Sequence, residues 1–187
     1  FVQLGSEVTL VEAADRILPR EDSDAAEVVR AALVRDGVKL LCCGRDTVVS
    51  GCDEEIRLTL QTTGANHNES VDRLLVAVGR APNVDDLNLE AAGVQYNARV
   101  GVTVDDNLRT TNRRIYAAGD VCSDYKFTHA ADFMARIVIQ NALFKGRSKA
   151  SALTIPWSTY TAPELAHVGL NAKQIHDQGL SAQTFVQ

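Results

Sequence analysis

Residues 7–42 read EVTLVEAADRILPREDSDAAEVVRAALVRDGVKLLC, and this stretch decides the fold class. Glu7-Val8-Thr9-Leu10-Val11-Glu12 is β-branched, apolar and short enough to be a buried strand that ends in a carboxylate. Asp22, Ser23 and Asp24 then offer N-caps to a helix running to Asp36, with Ala25, Val28, Val29, Ala32 and Leu33 at helical spacing. Gly37 stops that helix, and Val38 to Cys42 is a second apolar strand. Strand, helix, strand predicts a parallel sheet covered by helices, an α/β architecture.

Upstream of this unit, Phe1, Val2 and Leu4 before Gly5 look like the apolar tail of a helix closed by a glycine cap, so the sequence is expected to be truncated at its start. Downstream, Thr47-Val48-Val49, Ile56 to Leu60 and a polar connection at Gly64-Ala65-Asn66-His67-Asn68 suggest antiparallel strands laid beside the parallel sheet. Val71 to Val78 reads as a near-continuous apolar strand that breaks at Gly79-Arg80-Ala81-Pro82-Asn83, a plausible boundary. A helical turn at Leu87 to Ala92, a strand at Val102 to Val104 and the run Ile115-Tyr116-Ala117-Ala118 lead into Gly119-Asp120. Thr128 is placed to cap a long helix from His129 to Lys145, and Gly146 to end it. Pro156 and Pro163 frame an extended segment from Trp157 to Val168, and a short helix follows over 172–178.

The 187 residues carry 24 acidic and 19 basic side chains, a net charge of −5, which argues against a protein that grips nucleic acid through its phosphates. No apolar run approaches the roughly 20 residues needed to cross a bilayer, and no secretory signal opens the chain. A soluble, cytoplasmic protein with no membrane or nucleic-acid partner is the expectation. Cys42, Cys43, Cys52 and Cys122 lack metal-site or thioredoxin-type spacing. Cys42 and Cys43, on a strand, would point to opposite faces, and all four read as small buried thiols in a reducing compartment, with no metal site.

Three places carry chemistry. Glu12, at the end of its strand, is positioned to accept hydrogen bonds from both hydroxyls of an adenosine ribose; the alternative is a solvated loop carboxylate. Its charge would repel a 2′-phosphate, which favours NADH over NADPH. The glycine fingerprint expected about 20 residues before such an acid falls upstream of Phe1, and no GxGxxG occurs here. Gly119 lets the backbone approach a ligand while Asp120 projects from the sheet edge, able to hold a hydroxyl-bearing chain such as a ribityl group; a plain Gly-Asp turn is the alternative. Thr128-His129-Ala130 opens the long helix, whose unpaired N–H groups suit an electron-rich group such as a reduced flavin pyrimidine edge. His129 could serve as a general base, although a histidine in a first helical turn is more often structural. His67, in a polar loop, and His176, on a short helix, have no partner legible in the sequence, and His167, in an apolar strand, reads as packed rather than catalytic.

VTLVEAADRILPRED, LLVAVGRAPN, IYAAGDV, KFTHAADFMARIVIQNALF and IPWSTYTAPELAHVGL, taken in order, resemble the class I pyridine nucleotide-disulfide oxidoreductases, the family of dihydrolipoamide dehydrogenase, glutathione reductase and mercuric reductase. KFTHAADF is most similar to the mercuric reductase branch. The resemblance covers essentially the whole chain and implies partial Rossmann-like FAD- and NAD(P)-binding domains followed by the start of an α+β dimerisation domain. It assigns residues 1–80 to an N-terminally truncated NAD(P)-binding domain, 81–148 to the C-terminal part of the FAD-binding domain, and 149–187 to the start of the interface domain.

Residue by residue, the resemblance implies that Glu12 is the ribose-binding acid, Gly79 and Arg80 line the nicotinamide channel, and Gly119-Asp120 contacts the flavin ribityl chain. Thr128, His129 and Ala130 then form the helix start beneath the flavin pyrimidine edge. The implied cofactors are FAD and NAD, the implied assembly is a homodimer, and the implied reaction passes electrons from nicotinamide to FAD to a redox disulfide. From there they go to a small-molecule or metal-ion acceptor. The CxxxxC disulfide and the C-terminal acid-base pair of the family are absent from these residues. The stretch therefore holds no catalytic residue of its own and could not complete the cycle. The rival readings are a dihydrolipoamide dehydrogenase, a non-catalytic dinucleotide-binding or dimerisation module, and a single-electron ferredoxin-reductase relative, against which IPWSTYTAPELAHVG argues.

Overall fold

A computed structural model describes residues 1–52 and 55–187. The chain forms two compact units, one of residues 1–76 with 158–187 and the other of 77–157.

The first unit contains the parallel pair. β1 (Thr9–Val11) lies beside β2 (Lys39–Leu41) in parallel register, with Leu10 opposite Leu40, and α1 (Ser23–Arg35) is the crossover between them. α1 buries Ala26, Val29 and Ala32, while Val28 on the expected apolar face is 58% exposed. Small residues at 26 and 32 let the helix lie close to its neighbours, and this turns Val28 outward. Asp22 precedes the helix but makes no side-chain cap; its Oδ1 accepts the Ala172 N–H instead.

An antiparallel meander follows: β3 (Arg45–Cys52), β4 (Glu55–Thr62) and β5 (Ala65–Val71). Leu58 and Leu60 of β4 pack with Leu41 and Val11, so the meander is laid against the parallel pair. The polar segment 64–68, expected to be a connection, is mostly β5: Thr59 pairs with Asn68 and Leu60 with His67. A complete backbone ladder on β4 outweighs the low strand propensity of Asn and His. The expected strand 71–78 is not formed beyond Val71, and residues 73–77 are irregular with Leu75, Val76 and Val78 exposed. Among the described residues no strand lies alongside to accept its backbone bonds, and an unpaired strand has nothing to hold it. The remainder of this unit is the hairpin β8 (Trp157–Thr159) and β9 (Leu165–His167) with α3 (Ala172–Asp177). Asn171 and Gln174 start α3 with reciprocal side-chain caps on each other's backbone N–H groups.

The second unit has two cores. Val84, Val94 and Val102 gather Leu89, Ala92, Ile115 and Ala117 around the small ribbon β6 (Tyr96–Asn97) and β7 (Gly101–Val102). Leu108, Ala130, Met134, Ile137 and Ile155 form the other, under α2 (Thr128–Leu143). The run 115–118 is extended but pairs only through a Tyr116–Arg109 bridge. Thr128 is the first residue of α2 rather than its cap; Phe127 holds the cap position, without a side-chain bond. The helix stops at Leu143, two residues before the expected end. Buried Asn141 fixes the exit: its Nδ2 donates to the Ser148 and Asn107 carbonyls and its Oδ1 accepts the Ser148 N–H.

Candidate functional site

In the first unit, Glu12 immediately follows β1, as the sequence predicts. Its N–H donates to Leu41 O at 2.9 Å and its carbonyl accepts the Gly44 N–H at 2.9 Å, so the ends of β1 and β2 are buckled together at this residue. The Cys43 N–H adds a third tie, to Ala14 O at 2.8 Å. The Glu12 side chain turns back and its Oε1 accepts the Ala14 N–H at 2.8 Å. That bond fixes the carboxylate at the C-terminal edge of the parallel pair, the edge where sheets of this kind bind ligands. A carboxylate only accepts, so the group it suits is a hydroxyl or amide donor. Gly44 was not singled out from the sequence, yet a Cβ there would stand 3.0 Å from Val11 Cγ1 and 3.4 Å from Glu12 O. Arg16 shapes the following loop by donating to the carbonyls of Leu18, Pro19 and Glu21.

Cys42 and Cys43 lie beyond the end of β2, and Cys43 has φ 60, so the alternation expected of strand neighbours does not apply. Both thiols are free and half-buried. Burial, with Cys43 and the Glu12 carboxylate beside it, pushes the Cys42 thiol above its ordinary range. The side chain of Cys52 lies outside the described residues.

The second unit brings four of the predicted residues together. Gly119 has φ 80, and a Cβ there would stand 2.9 Å from Ala131 Cβ. Left-handed backbone and close approach to α2 both call for glycine at this position. Its N–H points at Met134 Sδ, 3.4 Å away. Asp120 comes next on a short 3₁₀ turn, Gly119–Val121, and Arg80 Nη2 lies 3.3 Å from its Oδ2. The pair is largely open to solvent, with Asp120 41% exposed, so its attraction is modest and the carboxylate stays accessible. Lys126 holds the same turn from behind by donating to the Asp120 and Ser123 carbonyls. Gly79, just before Arg80, sits in left-handed backbone at φ 128. The sequence marked Arg80 and Asp120 for separate reasons; the ion pair between them and the Lys126 brace have no local signal.

Because Gly119 packs on Ala131, the start of α2 is tied to the Asp120 turn. The first intrahelical bond runs from the Ala131 N–H to Phe127 O, and the N–H groups of Thr128, His129 and Ala130 have no acceptor among the described residues. They form the positive end of a 16-residue helix. Thr128 is exposed and Ala130 fully buried, so residue 130 offers only its backbone. The His129 ring stacks on Phe127 with centroids 5.5 Å apart and meets Phe133 edge-on at 6.2 Å. Its Nε2 lies 2.7 Å from the Pro156 carbonyl, an acceptor, so that nitrogen carries the hydrogen. His129 is thereby fastened through Nε2 to the Pro156 carbonyl, which leaves Nδ1 as its acceptor nitrogen. Nearby Cys122 is pushed up to about 11 by burial, with Lys126 opposing.

The other histidines are partnered. His67 Nε2 meets Thr62 Oγ1 at 2.9 Å, and exposed His176 faces Asp177. His167 Nδ1 lies 3.2 Å from buried Glu21 Oε2, and its Nε2 is 3.1 Å from Gly169 O, which makes it a packing residue of the first unit. Among the described residues no cluster of His, Cys, Asp and Glu could hold a metal ion, and no helix is long and apolar enough to cross a membrane.

Residues 1–135 match the sequence profile of the pyridine nucleotide-disulphide oxidoreductases. The chain is 33% identical to the mercuric reductase of Bacillus cereus over 186 residues, all of this chain and 30% of that protein. It is 34% identical to the dihydrolipoyl dehydrogenase of Bacillus subtilis over 176 residues, 93% of this chain and 37% of that protein. Among solved structures, LpdA from Mycobacterium tuberculosis superposes with a TM-score of 0.85 at 31% identity, over 97% of this chain and 39% of the other. The chain thus spans 30–39% of the length of these relatives.

Proposed function

Because the chain belongs to the pyridine nucleotide-disulphide oxidoreductase family, we propose that it supplies part of the nucleotide-binding and flavin-binding framework of an FAD-dependent, NADH-preferring oxidoreductase. In this reading residues 1–80 belong to the NAD(P)-binding domain, 81–148 to the FAD-binding domain and 149–187 to the start of the dimerisation domain. The full-length protein is then a cytoplasmic homodimer. The observation that carries the proposal is the junction at Gly119, where left-handed backbone pressed on Ala131 joins an accessible Asp120 carboxylate to the open N–H groups of α2.

The donors and acceptors present fit a flavin. Asp120 accepts from ribityl hydroxyls, while Arg80 at 3.3 Å helps orient that carboxylate. Thr128, His129 and Ala130 direct backbone N–H groups and the positive helix end toward an electron-rich ring edge, which favours the reduced, anionic form. Glu12, held by Ala14, accepts from a ribose diol and repels a 2′-phosphate. A bound flavin supplies the two-electron relay between nicotinamide and a disulfide. KFTHAADF (residues 126–133) favours a mercuric-reductase-like branch, with dihydrolipoyl dehydrogenase the alternative, at 33% and 34% identity.

The test is Asp120→Ala in the full-length protein. Loss of a charged hydrogen-bond acceptor costs about 1.5–3 kcal/mol, so bound flavin per chain after gel filtration should fall at sub-saturating FAD. Flavin content equal to wild type removes Asp120 from the site.

A further inference from the structure

We propose that Cys42 and Cys43 are a redox-sensitive vicinal dithiol, whose oxidation to a disulfide releases the Glu12 loop and weakens pyridine nucleotide binding; the consequence for binding rests on the role given to Glu12 above. Both thiols are free, half-buried and adjacent in the chain, on the turn that leaves β2. The same turn holds Glu12. Cys43 N–H bonds Ala14 O at 2.8 Å, Gly44 N–H bonds Glu12 O at 2.9 Å, and the Ala14 N–H in turn fixes the Glu12 carboxylate at 2.8 Å.

Closing a disulfide between these neighbours must disturb those bonds. Successive Cα atoms stand about 3.8 Å apart across a trans peptide, whereas a disulfide usually spans about 4.4–6.8 Å between Cα atoms. The Cys42–Cys43 peptide therefore has to twist, and its N–H is the donor to Ala14. Cys43 is already at φ 60, with little freedom to absorb the change elsewhere. Strained bridges of this kind are readily reduced, as a reversible signal requires.

The oxidant we invoke is an organic hydroperoxide. The Cys43 thiolate takes the terminal oxygen as the O–O bond breaks, the alkoxide leaves as alcohol after protonation by water, and a sulfenic acid remains. Cys42 is kept as a thiol by burial and by the Glu12 charge beside it. Its sulfur attacks the sulfenic sulfur; the S–O bond breaks, and the thiol proton leaves with the hydroxyl as water. In sum, two thiols and one hydroperoxide yield one disulfide, one alcohol and one water.

The full-length protein is titrated with cumene hydroperoxide. The peptide holding residues 42 and 43 is then weighed, and NADH affinity is measured by titration before and after dithiothreitol. The expected result is loss of two hydrogens from that peptide and a Kd for NADH raised about tenfold, the loss of one charge-assisted contact, with both effects reversed by the reductant. Cys42→Ser and Cys43→Ser should keep their reduced-state Kd under the same treatment, which separates this pair from every other cysteine in the protein. Should one serine variant fold poorly, the other carries the comparison. If no bridge forms within the peptide, or if it forms and Kd is unchanged while Glu12→Ala weakens NADH binding in reduced protein, the switch is overturned and the role of Glu12 stands. If Glu12→Ala leaves the reduced-state Kd unaltered, the role of Glu12 falls and the coupling falls with it.

Discussion

Replacing Gly119 by alanine tests the junction on which the flavin reading depends. Gly119 sits at φ 80, a region that costs a residue bearing a Cβ about 1–2 kcal/mol. The added methyl would stand 2.9 Å from Ala131 Cβ, well inside the optimum of about 3.5–4.0 Å for carbon atoms. Forcing a methylene-sized group into a packed site costs about 1–3 kcal/mol. Together the two contributions predict destabilisation of about 2–5 kcal/mol. The steric part can be separated from the conformational part. In Ala131→Gly the struck atom is gone and the nearest remaining neighbour is the Cα of residue 131 at 3.5 Å, an ordinary contact. That change alone costs about 1 kcal/mol in a helix interior. The double variant should therefore be more stable than the sum of the singles by about 1–3 kcal/mol. Wild type, both singles and the double are compared in the full-length protein by thermal unfolding and by the temperature at which flavin fluorescence appears. Additivity within about 0.5 kcal/mol, or a Gly119→Ala protein indistinguishable from wild type, refutes the packing argument.

Three further outcomes follow from the same structure. Glu12→Ala should raise the KM for NADH and narrow the preference over NADPH, and an unchanged cofactor ratio in steady-state assays would remove Glu12 from the nucleotide site. Asn141→Ala leaves the Ser148 N–H and the Asn107 carbonyl without their partner, while the Ser148 carbonyl keeps the Asn107 side-chain amide; the loss is about 1–3 kcal/mol and should speed limited proteolysis between Phe144 and Ser148. Cys122 loses its proton near pH 9.0 in an unfolded chain but only near 11 when folded. Between those values the unfolded chain binds fewer protons, so the stability this thiol contributes is complete below about pH 9 and lost by about pH 11. Cys122→Ala should flatten the fall of the melting temperature over that alkaline window.

The parallel unit was legible because every local preference in residues 7–42 agrees with it: Val8, Leu10 and Val11 suit a buried strand, Asp22 to Arg35 a helix, and Gly37 a stop. The short helix expected over 172–178 formed over Ala172–Asp177, although its Asn171 and Gln174 caps were not singled out from the sequence. Where the reading failed, the missing information was tertiary. Asn66 and Asn68 became strand because β4 offered them a ladder, and the apolar 73–78 remained irregular because nothing beside it did. Glu12, Gly119, Asp120 and the opening of α2 were marked by motif. What joins them to their surroundings was not: the Arg80 ion pair, the Ala14 N–H, Ala131 beneath Gly119 and the Pro156 carbonyl on His129 are neighbours distant in sequence or set by backbone direction. The last of these fastens the His129 ring through Nε2, a contact that its place in the first turn of α2 did not announce.

The irregular LLVAV run at residues 74–78 has a practical meaning. Leu75, Val76 and Val78 are 77%, 69% and 93% exposed, and the run holds no charge and no proline. An exposed, uncharged apolar run without proline has the composition of segments that pair between molecules through main-chain bonds. Produced by themselves, these 187 residues should aggregate faster as their concentration rises, which light scattering over a dilution series would read.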